Sequence, residues 1–214
     1  MPLLALAAFA TGGGIRMLDP LLPMLASDFG VTVAGAAPVL AGFSIAYGAG
    51  QLVIGPLGDR YGKLRVAWFA LLLYGFGLAA CTLAWDLSAM VAFRTLTGLL
   101  AGAVIPLALA WIGDAVPYAE RQATIGRFLT GMVMAQLLVG PLSGVLAELA
   151  GWRASFLVLA LLALVVSVLL GSGILTTANI STAASRNTKK SGLRRHTQDT
   201  RHAHRKYAEN RVSY

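Results

Sequence analysis

Arg16 and Asp19 stand three residues apart, on one face of a helix, so they can form an ion pair within an apolar stretch. Ionisable groups in such a stretch mark proton, ion or substrate paths by default. Gly12-Gly13-Gly14 precedes the pair and Pro20 and Pro23 follow it, a pattern that weakens a helix and then breaks or kinks it. The structural alternative is a pair near the outer interface that only holds the kink. Tyr47 and Gln51, at i and i+4, share a face. They line a water-filled path or hydrogen-bond between helices. Arg94, just inside another apolar run, either snorkels to the interface or faces inward as a fixed positive charge. Other chemistries are poorly served. The single Cys81 excludes an internal disulfide framework. There is no Cys/His metal spacing and no phosphate-binding Gly-x-x-x-x-Gly-Lys-Ser/Thr pattern, and all three His lie at 196, 202 and 204. An enzyme, a cofactor, a metal site and an ATP-driven pump are therefore not expected.

The elements that must carry these residues are membrane helices. Of 214 residues, 57% are hydrophobic and only 12% charged, against about 25% charged in an average soluble domain. A crossing helix needs about 20 mostly apolar residues. Six segments qualify, at 2–23, 36–57, 65–84, 89–112, 124–149 and 154–175. The runs are too long and too evenly apolar for β-barrel strands. The first run lacks the positive leading region of a signal peptide, and Met1 falls within the first span. Charge divides sharply: residues 1–175 hold eight Lys and Arg against seven Asp and Glu, while residues 176–214 hold nine against two. The expected fold is thus all-α: a six-helix transmembrane bundle over 1–175 and a disordered basic tail over 176–214. That tail reads as a frame-shifted or junction-derived end. The alternatives are that its Lys189–Arg195 cluster meets anionic lipid or attracts nucleic acid nonspecifically. Arg60, Lys63 and Arg65 lie in 58–65 and Arg121 in 113–124 with Arg127 just beyond, while 24–35 and 85–88 carry no Lys or Arg and 150–153 only Arg153. This places 58–65, 113–124 and both termini on the cytoplasmic side.

Residues 55–65, Gly-Pro-Leu-Gly-Asp-Arg-Tyr-Gly-Lys-Leu-Arg, are the densest charge cluster between Asp28 and Asp114. Flanked by apolar runs, they read as a loop at a membrane face. Gly55, Asp59, Arg60, Gly62, Lys63 and Arg65 resemble the signature loop between the second and third helices of the major facilitator superfamily. Gly113-Asp114 through Pro117 to Glu120-Arg121 resembles the acid, proline and arginine pattern after the fourth helix. On that likeness Asp59, Arg60, Asp114 and Arg121 form a charge network that gates the cytoplasmic face. Arg94-Thr-Leu-Thr-Gly98 resembles the fourth-helix arginine, which in proton-driven members influences the protonation of a nearby acid. Asp19 is the candidate partner here. Gly140-Pro141 and Gly144 resemble the fifth-helix motif of the antiporters, with Gln136 and Val145 where that motif prefers glycine. Gly151-Trp152-Arg153 and Phe156 are also usual for the family before helix six.

The Arg16–Asp19–Pro23 opening, the Tyr47–Gln51 helix and the Gly151–Arg153 end look most like the drug and sugar (arabinose-efflux-like) proton antiporter branch. The resemblance implies the N-terminal half of a transporter with two six-span halves. It also implies proton-coupled efflux of a small molecule across the plasma (inner) membrane by alternating access. The implied partners are the bilayer, substrate and protons, and a missing C-terminal half or a second copy, with no specific nucleic acid. The alternative is a truncated, non-transporting membrane fragment that meets only lipid or a partner chain.

Overall fold

The structure is a computed structural model that describes residues 2–173. The basic tail expected over 176–214, with its Lys189–Arg195 cluster, lies outside the described residues. Seven helices follow in order: α1 Pro2–Arg16, α2 Leu22–Asp28, α3 Val33–Tyr61, α4 Lys63–Cys81, α5 Leu87–Ala115, α6 Tyr118–Ala150 and α7 Trp152–Gly173. Among the described residues, α3 to α7 are each long and apolar enough to cross a membrane. The first expected segment, 2–23, is instead divided between α1 and α2. We count those two as one interrupted crossing.

The interruption has a local cause. Pro20 has no amide to give the Arg16 carbonyl, so the helical ladder cannot pass through it. The chain turns instead. Asp19 N reaches Arg16 O at 3.3 Å, and Leu21 N and Leu22 N both reach Leu18 O at 3.0 Å. Pro23 then sits in the first turn of α2, where a missing amide costs nothing. Two later starts, of α3 and α5, are capped by side chains. Thr32 Oγ1 accepts from Gly35 N at 3.0 Å at the head of α3, and Asp86 Oδ1 accepts from Ala89 N at 2.7 Å at the head of α5.

The charged loop expected over 58–65 is not a loop. Helix α3 runs on through Asp59 and Arg60 to Tyr61, and α4 begins at Lys63. Gly62, at φ 94°, is the whole connection. A glycine accepts that left-handed backbone without strain, so the chain reverses in one residue and the charges ride on helix ends. The expected segments also fall short of the helices. With about 1.5 Å of rise per residue, α3 and α5, 29 residues each, are about 43 Å long and α6, with 33, about 50 Å. Their polar ends stay helical beyond the hydrocarbon.

Helix α5 is the centre of the packing, against α3 and α4, and α1 pairs with α6. Lipid tails are as apolar as leucine, so close backbone approach must supply the contact. A Cβ at Gly98 would strike the Phe43 carbonyl, one at Gly102 the Tyr47 carbonyl, and one at Gly50 the Leu99 carbonyl. Gly131 lets α6 approach Ala5 of α1 in the same way. Helix α7 is tied to α4 by Trp68 Nε1, which donates to Ser167 O at 2.8 Å. At the far end from Lys63, Asp28 Oδ2 accepts from Trp152 Nε1 at 2.9 Å and from Arg153 Nη1 at 3.1 Å, while Arg153 Nε donates to Thr82 O at 3.2 Å. Three crossings are joined there.

Gly102→Ala should therefore force α3 and α5 apart and destabilise the bundle by about 1–3 kcal/mol, the usual range for overpacking. Gly48→Ala, where nothing lies within 4 Å of the added carbon, should not. Thermal unfolding of both variants in detergent checks this; equal melting temperatures would contradict the packing account.

Candidate functional site

The interrupted crossing carries the first group of candidate residues. Arg16 Nη1 and Asp19 Oδ2 are 3.2 Å apart, with side chains 55% and 47% exposed. Around them the backbone is held from two other helices. Arg94 Nη2, on α5, donates to Gly14 O at 2.9 Å. Ser143 Oγ, on α6, donates to Met17 O at 2.9 Å. Gly144 makes room on the same side, while Gly140 is in ordinary contact range. A Cβ at Gly140 would lie 3.7 Å from Arg16 O, and one at Gly144 would lie 3.2 Å from the Pro20 ring. Pro141 between them points to the exposed side.

Arg94 does not snorkel. Its side chain is completely buried, and its guanidinium lies 4.1 Å from the Phe43 ring centroid and 5.7 Å from that of Phe156. Cation–π contact and one carbonyl are what it has; Nε and Nη1 have no hydrogen-bond partner among the described residues. Asp19, the partner expected from sequence, pairs with Arg16 instead. Tyr74 donates to Ala10 O at 3.2 Å, one turn before Gly14. Arg94 and Tyr74 thus approach α1 just ahead of its break. Tyr47 is half-buried and stacks on Phe43, centroids 6.0 Å apart, and Gln51 is exposed one turn on.

The second group lies where α3 meets α4. Lys63 Nζ is 2.5 Å from Asp114 Oδ2 and 3.7 Å from Asp59 Oδ1, so it bridges α5 to α3. The network expected through Arg60 and Arg121 runs through Lys63 instead. Arg60 lies over the Tyr61 ring at 5.5 Å, and Arg121 reaches Val116 O at 3.5 Å and the Tyr118 ring at 5.9 Å. Gly55 and Arg65 are exposed; no side chain would crowd a Cβ at Gly55. The reason for the change is the single-residue turn. With helix running to Tyr61, Lys63 falls against Asp114 while Arg60 points along its own helix end.

Sequence reasoning missed Ser143 and the Asp28 junction. Ser143 sat inside the Gly140–Gly144 pattern as an unremarked residue, and only the break opposite it gives its hydroxyl a task. Asp28 gave no local signal, because its partners are more than a hundred positions away.

A bundle built on interdigitated glycines, with one crossing interrupted at an ion pair and a charge bridge at a one-residue turn, is an integral multi-pass membrane protein. The Major Facilitator Superfamily model matches residues 4–206, and the chain belongs to that family. It is 31% identical over 153 residues to the uncharacterized MFS-type transporter YwfA of Bacillus subtilis, covering 72% of this chain and 37% of that protein. It is 30% identical over 165 residues to the 4-hydroxybenzoate transporter PcaK of Pseudomonas aeruginosa, covering 77% of this chain and 37% of that one. The chain thus spans well under half the length of these relatives. Among solved structures, the POT family transporter PepTSo superposes with a TM-score of 0.71 at 19% identity, over 80% of this chain and 36% of that one. The fold is that of an N-terminal half of this superfamily.

If the buried planar stack on Phe43 holds Arg94, lysine cannot replace it, because an ammonium offers no flat face. Arg94→Lys should lower the melting temperature more than Arg94→Met, which buries no charge and leaves only the Gly14 carbonyl unmatched. The reverse order would show that charge alone is required.

Proposed function

We propose that the chain is the N-terminal half of a proton-coupled transporter that moves a small organic molecule out of the cell by alternating access. The observation that carries this reading is the half-exposed Arg16–Asp19 pair on an interrupted crossing. A carboxylate that pairs with Arg16 when ionised releases it when protonated. The proton is then linked to the geometry of the break. Arg94, a buried positive charge that donates to Gly14 O two residues before Arg16, biases that stretch without consuming the proton. At the other end, the Lys63 bridge between α3 and α5 closes the face we place in the cytoplasm, together with both termini. Exposed charge bridges of this kind are weak and screened by salt, which suits a gate that must open and close. The drug and sugar efflux branch is favoured by the Arg16–Asp19–Pro23 opening and the Gly140-Pro141 and Gly144 pattern. A second six-span half supplies the other wall of the path. Aromatic carboxylates, the class named by one relative, are the first compounds to test beside cationic drugs.

The experiment is flux in proteoliposomes, with the chain alone and with a C-terminal half supplied, under an imposed pH gradient. Asp19→Asn should abolish the response to the gradient while leaving membrane insertion intact; a wild-type response would remove Asp19 from the coupling path. No flux in either arrangement would favour the non-transporting fragment. Asp114→Asn, which takes away the shorter contact of Lys63, should impair transport more than Asp59→Asn, and high salt should shrink the difference. Equal effects at low salt would remove Asp114 from the gate.

A further inference from the structure

We propose that Ser143 is the positioning residue of the interrupted crossing, fixing the backbone on which the Arg16–Asp19 pair is built. The argument begins with an unmatched carbonyl. In an unbroken helix Met17 O would accept from Leu21 N, but Leu21 N bonds to Leu18 O at 3.0 Å. Met17 O instead has Ser143 Oγ at 2.9 Å; the same hydroxyl lies 2.7 Å from Gly140 O of its own helix, so its one proton is shared between the two carbonyls. Ser143 is 4% exposed. It is itself held from behind: Ser155 Oγ, on α7, donates to Ser143 O at 2.9 Å. Two buried hydroxyls therefore connect α7 to α6 and α6 to the break. Gly144, one residue on, admits the Pro20 ring on the same face of α6. Ser143 touches neither Arg16 nor Asp19, so its action is through the Met17 carbonyl. The surrounding cleft is walled by apolar side chains such as Phe9, Val139, Leu142 and Leu159; Ser155, the other hydroxyl lining it, already donates to Ser143 O.

The functional consequence rests on the reading of Asp19 as the coupling carboxyl; the positioning itself does not. The test uses the full chain in detergent, with hydrogen exchange of the Leu21 and Leu22 amides and carbodiimide labelling of carboxyl groups mapped by mass spectrometry. In Ser143→Ala both exchange and labelling of Asp19 should rise about five- to tenfold, the factor that one net hydrogen bond represents. Labelling of Asp59 and Asp114 should stay unchanged as internal references. Ser143→Thr, which keeps the hydroxyl, should restore both. Unchanged exchange and labelling in Ser143→Ala, or a Thr variant that behaves like the Ala one, would overturn the proposal. The two readings fail separately. If Ser143→Ala loosens the break and Thr rescues it while Asp19→Asn leaves the pH response of transport intact, positioning stands and proton coupling through Asp19 falls.

Discussion

A carbonyl inside a bilayer has no water to bond, so every break in a membrane helix must be matched by protein. The first crossing of this chain is broken between Arg16 and Leu22, and much of the rest is arranged around that fact. Arg94 serves Gly14 O from α5 and Ser143 serves Met17 O from α6. Gly144 gives the Pro20 ring room. The result is a stretch that departs from helix geometry, presents an ion pair on one side and is anchored on the other. A flexible segment would not do this. Its polar groups would seek alternative partners, and the pair would have no fixed direction.

Because so little hydrophobic force separates one helix from another in lipid, shape decides the rest. Gly50, Gly98 and Gly102 bring α3 and α5 into backbone contact, and that contact places Phe43 under the Arg94 guanidinium. The glycine face and the buried arginine are thus one feature. A wider separation would remove the ring that makes burial of the charge tolerable. The two ends are joined differently. Both carry partly exposed ion pairs, Lys63 with Asp114 and Arg153 with Asp28, but Asp28 also accepts from the Trp152 indole. That added hydrogen bond lies opposite the junction we assign to the gate.

The crossings, the all-α class and the family were legible in sequence, because apolar runs of the right length and fixed-spacing glycine and charge patterns are local signals. The Arg16–Asp19 pair was legible because three residues is a short-range relation, although Asp19 lies in the turn after α1 and the pair forms across that turn instead of on one helix face. What could not be read was anything that depends on which helix lies beside which. Arg94 is far in sequence from both Asp19 and Phe43, and only the crossing of α3 and α5 chooses the ring. The Lys63–Asp114 bridge depends on Gly62 making the turn alone, and hydropathy cannot separate a charged loop from a charged helix end. Ser143 is silent until its partner carbonyl is known to be free.

On the proposed reading the exposed Arg16–Asp19 pair faces water, while Leu18 beside it is sealed in the protein. The most direct measurement is thiol labelling in membrane vesicles with a charged, impermeant reagent, on a background in which buried Cys81 is replaced by serine. Asp19→Cys should react readily and Leu18→Cys, at a position with no exposure, should not. Protection at both positions would contradict the account.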